Sequence, residues 1–358
     1  MNHKDAGVTE AEWAEATASS HELRVRRIVQ ETSDARSIVL EIPEELQSRF
    51  AYRAGQFLSF KIPYRGVILV RSYSLCSSPD CETEHKIAVK RVDDGRISNW
   101  MHDELREGDT LMVTPPAGFF LLNRESRKIV LFSGGSGITP VISIIKSALA
   151  TGDRRLKLIY ANRNAESIIF KDELESLAAR HPDRFELVHS FDDVDGFLDV
   201  DRVKGYAAGE TGSDFYLCGP GPFMATVEAA LEEVGVHMDR IHVEHFASPT
   251  DPTAVAEETS STADETAPET ITIVLDGETH EVPYTAGERV LQAARRAGLE
   301  PPFSCEEGYC SCCMAKLAEG RVMMVANDCL TPELLKEGWV LTCQSRCISA
   351  KVRVEYPD

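Results

Sequence analysis

The sequence predicts a multidomain chain built from three successive folds: a β-barrel, an α/β doubly wound domain and a small α+β module. Three observations predict it. Short strands with closely spaced turn signals run from His21 to Thr114, and from Lys128 to Phe246 strands and helices alternate instead. Residues 248–270 then carry acidic residues, no basic ones, no aromatics and no apolar periodicity, which sets a final module apart. A length of 358 residues with 43% hydrophobic content leaves room for two or three domains with sizeable cores.

Residues 1–20 show no such pattern and are expected to form a mobile N-terminus. Over 21–123, strands are expected at Leu23 to Val29, Ser37 to Ile42, Gln56 to Ile62, Ile68 to Leu75, Lys86 to Arg91 and Thr110 to Val113, enough to close a barrel. Over 124–247 the series is strand Lys128 to Phe132, helix Pro140 to Ala150, strand Leu156 to Tyr160, helix Lys171 to Ala179, strands Phe185 to Val188 and Asp214 to Cys218, and helix Phe223 to Val234. That alternation reads as a parallel sheet with helices on both faces. Residues 248–270 form an acidic linker that self-repulsion keeps extended. In the last module, 271–358, alternating Ile271, Ile273 and Leu275 lead into Asp276-Gly277, a hairpin turn. A helix from Glu288 to Ala297 follows, and Trp339 to Cys343 and Lys351 to Tyr356 read as closing strands.

A net charge of −20 argues against nucleic acid as a partner, because phosphates attract basic surfaces. The longest apolar stretches, such as Gly137 to Ile145, fall well short of the ~20 residues of a membrane span, and no signal-peptide core opens the chain. A cytoplasmic protein is expected. Its ten cysteines are then reduced ligands or buried apolar groups rather than disulfides.

Cys305, Cys310, Cys313 and Cys343 stand as Cys-x4-Cys-x2-Cys followed by a fourth cysteine after twenty-nine residues. This is the plant-type 2Fe-2S arrangement, in which one tight loop supplies three thiolates and a distant segment the fourth. Gly308 gives that loop backbone freedom, and Cys312 is a non-ligand. Cys347 is an alternative fourth ligand; Cys76, Cys81 and Cys329 have no assigned role. Zinc would call for a second Cys-x2-Cys knuckle, and this loop has one.

Other motifs lie upstream. A strand runs into Gly134-Gly135-Ser136-Gly137-Ile138-Thr139-Pro140, where Thr139 and Pro140 are expected as N-cap and first helical residue, a place for phosphate. Arg71-Ser72-Tyr73-Ser74 ends a barrel strand with a cation and an aromatic ring. Lys90-Arg91-Val92 precedes Gly95-Arg96-Ile97-Ser98, with Ser98 expected to cap a helix. Cys218-Gly219-Pro220 closes a late strand, where open sheets bind ligands.

Together with Glu244-His245-Phe246, these segments resemble the ferredoxin–NADP reductase superfamily, here with a ferredoxin module at the C-terminus, and the likeness covers nearly everything after residue 21. The resemblance implies a Greek-key barrel for FAD, an NAD(P)-binding α/β domain and a β-grasp 2Fe-2S domain. It implies that Arg71 holds the FAD pyrophosphate, Tyr73 lies against the isoalloxazine, Ser74 sits near flavin N5, and the stretch from Lys90 through Gly95 to Ser98 holds FAD phosphates. Gly135 to Pro140 would receive the dinucleotide, Cys218 with Gly219 and Pro220 would lie beside the nicotinamide, and Phe246 would shield the flavin. Ser74, Cys218 and Phe246 are thus the expected catalytic residues. Nicotinamide delivers electron pairs and the cluster takes one at a time, so a flavin between them is required.

Asp192 and Asp193 after the third α/β strand suggest NADH, whereas Arg163 on the neighbouring loop suits the 2′-phosphate of NADPH; NADH is the expectation. No Rieske Cys-x-His pair is present, and the Glu-x-x-His at Glu82 to His85 stands alone, so oxygen activation belongs to a separate oxygenase. Segments such as Tyr73 to Pro79, Tyr160 to Arg163 and Ile241 to Glu244 carry a closer likeness to the reductases of steroid-hydroxylating systems, which implies a Rieske-type steroid oxygenase as client. A di-iron epoxidase or acyl desaturase is the alternative client, and a redox-sensing electron carrier the alternative function.

Overall fold

The computed structural model describes residues 6–246 and 267–357, apart from 124, 126, 304, 305, 307, 309, 310, 328 and 331. The expected linker falls mostly outside these, as do Cys305 and Cys310. The chain divides into two units, Met1–Phe246 and Ala247–Asp358.

Helix α1 (Glu10–Thr17) lies within the stretch in which the sequence showed no pattern. Thr9 and Glu12 form a capping box: Thr9 N donates to Glu12 Oε2 at 3.0 Å and Glu12 N to Thr9 Oγ1 at 3.3 Å. The helix is tied to the barrel by Lys61 Nζ, which donates to Ala16 O. With so short a helix and little apolar periodicity, the cap was the only sequence signal available.

The barrel consists of β1 (His21–Thr32), β2 (Ala35–Glu41), β3 (Phe57–Tyr64), β4 (Val67–Ser74), β5 (His85–Lys90), α2 (Arg96–Asp103) and β6 (Thr110–Val113). Its strand order is β4-β3-β6-β1-β2-β5, and every pairing in it is antiparallel. The two outer strands meet where Leu75 bridges Ile87 and Cys76 N donates to Lys86 O at 2.7 Å, which removes the open edges. Leu23, Phe50, Phe60, Leu69 and Ile87 fill the interior, with Trp100 and Met101 of α2 closing one end.

The α/β domain follows: β7 (Ile129–Gly134), α3 (Ile138–Thr151), β8 (Leu156–Asn162), α4 (Lys171–Arg180), β9 (Phe185–Phe191), α5 (Asp192–Asp195), α6 (Val200–Ala207), β10 (Asp214–Gly219), α7 (Gly221–Glu233) and β11 (Ile241–His245). All strands are parallel, in the order β11-β10-β7-β8-β9. Alternation along β7 divides the core. Ile129 and Leu131 pack with Val141 and Leu174 of α3 and α4, while Val130 and Phe132 pack with Val203 and Val227 of α6 and α7. The first core also takes in Ala35, Cys76 and Ala88 of the barrel, so the two domains share apolar packing. From β7 the chain winds outward through β8 and β9, then crosses back to β10. The switch point, where such sheets bind ligands, therefore lies between β7 and β10. Strand β11 and helix α6 were not expected from sequence.

The second unit contains β12 (Thr270–Leu275), β13 (Glu278–Pro283), α8 (Val290–Arg296), β14 (Met314–Glu319), β15 (Val322–Met324), α9 (Pro332–Lys336), β16 (Trp339–Leu341), β17 (Ser345–Cys347) and β18 (Arg353–Glu355). Its mixed sheet runs β13-β12-β18-β14-β16, with β12 and β18 parallel, and Ile271, Ile273 and Val354 pack against Val290 and Ala293 of α8. Asp276 and Gly277 both have positive φ (52° and 74°), as the two-residue turn requires. Residues 267–270, expected as linker, belong to this module: Ala267 packs on its core and Thr270 opens β12.

Candidate functional site

At the switch point the ends of β7 and β10 press together. A Cβ on Gly137 would lie 2.1 Å from Cys218 O, one on Gly134 would lie 2.9 Å from Pro220 Cδ, and one on Gly219 would lie 2.7 Å from Phe223 Cδ1. Only glycine allows this approach. Gly135 has φ +52°, and Tyr160 Oη on β8 donates to its carbonyl at 2.9 Å, fixing the turn from below. The buried Ser133 Oγ has no hydrogen-bond partner, a polar atom left over at the strand end where a ligand would sit. Thr139 does not cap the helix. Residues Gly135–Gly137 form a short 3-10 turn that runs directly into α3 at Ile138, so Thr139 and Pro140 lie within the first turn and Thr139 Oγ1 donates back to Ser136 O at 3.1 Å. The free backbone N–H groups at this end remain suited to a pyrophosphate.

Cys218 is fully buried and stands opposite Glu244 in the β10–β11 register. Burial, and then the neighbouring Glu244, push the Cys218 thiol up, so it stays protonated. Burial raises the Glu244 carboxyl to about 8. Phe246 follows β11 and is 44% exposed.

On the barrel, Arg71, Ser72, Tyr73 and Ser74 fall on β4 as expected. Arg71 Nη1 donates to Val70 O at 2.6 Å, the Ser72 and Ser59 hydroxyls are 2.6 Å apart, Tyr73 packs edge-on to Phe60 and Ser74 is buried. Helix α2 starts at Arg96 with Gly95 as N-cap. Ser98 is not the cap; it sits in the first turn, where it accepts from Val92 N at 3.3 Å. A Cβ on Gly95 would lie 2.4 Å from Ser98 Oγ and 2.9 Å from Val92 O, so the chain passes close to the helix start here. Beside this helix start is a cavity of about 550 Å³ lined by Tyr64, Gly95, Arg96, Asn99 and Trp100. Trp100 Nε1 is buried without a hydrogen-bond partner. Arg91 is drawn away onto Asp103 and Asn99 of α2, and Val92 is exposed. Lys90 turns the other way: its Nζ comes within 3.7 Å of where a Cβ on Gly135 would be.

Asp192 begins α5, half-buried, its carboxyl raised by burial and by Asp193 against the pull of Arg202. Arg163, just after β8, donates from Nη2 to Asp34 Oδ2 at 2.7 Å. Asp34 was not anticipated, since a lone acid in a hairpin turn carries no signal of what it faces.

In the second unit Cys313 and Cys343 come together. Thr342, the residue before Cys343, donates to Cys313 O through both N (3.1 Å) and Oγ1 (2.9 Å), and the two cysteines are buried in the same small core. Gln344 Nε2 donates to Glu306 O at 2.7 Å, tethering the loop, and a Cβ on Gly308 would be 3.0 Å from Ala326 O. Cys312 is also buried. Cys347 packs in the other core of the module, against Tyr284 and Val354, apart from the Cys313–Cys343 pair. Two thiols held side by side under a glycine-bearing loop fit a thiolate-bound cluster.

Three family models match the chain in succession: an oxidoreductase FAD-binding domain over 22–121, an oxidoreductase NAD-binding domain over 131–229 and a 2Fe-2S iron-sulfur cluster binding domain over 273–347. The chain is 41% identical, over 93% of its length and 96% of the relative's, to the ferredoxin reductase component of 3-ketosteroid-9-alpha-monooxygenase from Rhodococcus rhodochrous. It is 33% identical, over 94% and 97%, to one of the subunits of the 1,2-phenylacetyl-CoA epoxidase from Escherichia coli. Phthalate dioxygenase reductase, a solved structure described as modular and transferring electrons from pyridine nucleotides to 2Fe-2S, superposes with a TM-score of 0.59 at 27% identity, covering 95% of this chain and 99% of that one. The chain belongs to the ferredoxin–NADP reductase superfamily, among the oxidoreductases in which FAD-binding, NAD-binding and 2Fe-2S domains follow one another and which serve as ferredoxin reductase components of monooxygenases.

Proposed function

We propose that the protein takes reducing equivalents from NADH and delivers them, through FAD and its own 2Fe-2S cluster, to a separate Rieske-type oxygenase acting on a steroid, in the cytoplasm. The observation that carries this reading is the meeting of Gly134–Gly137 with Cys218–Pro220 at the switch point of a sheet that shares its core with the barrel. Bound flavin accepts a hydride and releases electrons singly, the conversion that a pyridine nucleotide and a one-electron cluster require.

The chain's own residues have distinct tasks. Arg71 would pair with the flavin pyrophosphate, Tyr73 would offer its ring to the isoalloxazine and Ser74 a hydroxyl near N5. The first-turn N–H groups of α2, from Gly95 to Ser98, would hold the same FAD phosphates, beside the cavity that Gly95, Arg96 and Asn99 line. Gly135 to Pro140 cradle the dinucleotide pyrophosphate, with Lys90 close by. Cys218, neutral and buried, would pack beside the nicotinamide as a small apolar group, and Phe246 would shield the flavin face. Cys305, Cys310, Cys313 and Cys343 supply the four thiolates.

NADH is favoured because the acidic start of α5 would repel a 2′-phosphate and the nearby guanidiniums are already engaged: Arg163 with Asp34, and Arg202 with Ser190 Oγ at 2.9 Å and Asp195 at 3.7 Å. The steroid client follows the 41% identity to the ketosteroid monooxygenase reductase; the 33% identity to the epoxidase protein supports a second client, an epoxidase-type oxygenase, with the reductase chemistry unchanged. Among the described residues no helix is long and apolar enough to cross a membrane, and reduced thiolate ligands suit a reducing compartment.

Anaerobic titration of the purified protein tests the reading. NADH should bleach both flavin and cluster absorbance and sustain turnover of an added Rieske-type ketosteroid oxygenase. Cluster absorbance without flavin would instead favour a simple electron carrier.

A further inference from the structure

Arginine beside the adenosine ribose recognises a 2′-phosphate, so Arg163 stands in apparent conflict with a preference for NADH. The fold resolves that conflict from an unexpected direction. Arg163 Nη2 donates to Asp34 Oδ2 at 2.7 Å, and Asp34 belongs to the barrel, in the turn between β1 and β2, 129 positions earlier in the chain. The two partners are unequally exposed. Arg163 keeps 66% of its side-chain surface in solvent, whereas Asp34 keeps 23%.

Asp34 is fixed from its own side. Thr32 Oγ1 donates to Oδ1 at 2.8 Å, and Asp34 O accepts from Arg91 N at 2.7 Å. Its Oδ2 also lies 3.9 Å from Lys90 Nζ, the cation that reaches the glycine turn. One carboxylate of the flavin domain thus meets both the lysine beside Gly135 and the arginine after β8. Arg163 is anchored in turn: its carbonyl accepts from Asp193 N at 3.1 Å, so its backbone is continuous with the acidic loop.

We propose that Asp34 is a specificity-determining residue: by pairing with Arg163 it withholds the guanidinium from a 2′-phosphate and sets its own charge against one, so that selection of NADH over NADPH is shared between the barrel and the nucleotide domain. The inference rests on the NADH reading above. Because Arg163 is largely in solvent, the effect is of modest size and sensitive to salt.

Calorimetric titration of the full-length protein, with flavin and cluster in place, by NAD⁺ and NADP⁺ tests it without relying on turnover. Asp34→Asn retains the turn, since Asn suits it as well and the bond from Arg91 goes to the main chain. The variant should bind NADP⁺ about three- to tenfold more tightly at low salt, keep NAD⁺ within about twofold, and lose the gain at about 0.5 M salt. Adding Arg163→Ala should abolish the gain. Unchanged NADP⁺ affinity in Asp34→Asn, or a gain that survives loss of Arg163, overturns the proposal. Should Asp34→Asn fail to fold, Arg163→Ala alone decides: affinity for NADP⁺ within about twofold of the parent supports a guanidinium already spoken for, and a loss beyond about fivefold contradicts it. A parent protein that binds NADP⁺ more tightly than NAD⁺ overturns the NADH reading and the inference with it; a parent that prefers NAD⁺ beside an unaltered Asp34→Asn overturns the inference alone.

Discussion

Cys343 and Cys347 stand four residues apart and end in different surroundings. Cys343 lies against Cys313, joined to it through Thr342, whereas Cys347 is buried with Tyr284, whose hydroxyl accepts from Cys347 N at 2.9 Å. Spacing alone left both open as the fourth ligand. Cys343→Ser should therefore prevent stable 2Fe-2S assembly, read as loss of visible absorbance and of bound iron and sulfide. Cys347→Ser should keep full iron content and lose about 1 kcal/mol of stability in denaturant titration, from placing a hydroxyl in an apolar site. The reverse result would reassign the ligand. Sequence reached the four cysteines because thiolate spacing is local chemistry. It did not reach Thr342, whose hydroxyl matters only because β14 and β16 lie side by side.

Helix α3 teaches the same lesson at the scale of an element. Ser143, Lys146 and Ser147 make a polar stripe that sequence would give to solvent, yet all three are buried. They face the barrel. Ser143 Oγ donates to Ser77 O at 2.6 Å, the Ser78 and Ser147 hydroxyls are 2.7 Å apart, and Lys146 Nζ reaches Glu82 at 2.6 Å and Glu173 of α4 at 2.9 Å. Removing the cation would leave two carboxylates offset only by Lys86, whose Nζ lies 3.5 Å from Glu173 Oε2. Each is about 30% exposed, so the penalty is below that of a fully buried pair, and Lys146→Met should destabilise the holoprotein by about 1–3 kcal/mol. Adding Glu173→Gln should recover part of the loss. A denaturation midpoint unmoved by Lys146→Met would show that the contact holds nothing together.

For the whole molecule, Glu244 links the cleft to the pH dependence of stability. Its carboxyl is raised from 4.5 to about 8, so between those values the folded chain keeps a proton that the unfolded chain has released. Folding stability should therefore fall as pH rises through that window, with the contribution complete below about 4.5. The residue is only half-buried, which makes that window narrower than for a fully enclosed acid. Unfolding free energies at several pH values between 5 and 8, compared with Glu244→Gln, check the sign; an unchanged slope in the variant would assign it to other groups.

Strand and helix periods, the glycine-rich turn, the cysteine spacing and the composition break at 248–270 were legible in the sequence because each is set by interactions among near neighbours. Three successive folds and single-electron transfer at a cluster follow from them, and the family resemblance added the flavin and the hydride. What the tertiary structure decided were pairings between distant segments: Asp34 with Arg163, Lys146 with Glu82, Cys218 opposite Glu244, and Cys313 beside Cys343. It also decided the two helix starts, at Gly95 and Gly137, where the absence of a Cβ outweighed the capping residue that sequence favoured. A charge or hydroxyl has no intrinsic preference for a partner a hundred residues away; which one it meets depends on how the sheets close and on which faces they bring together.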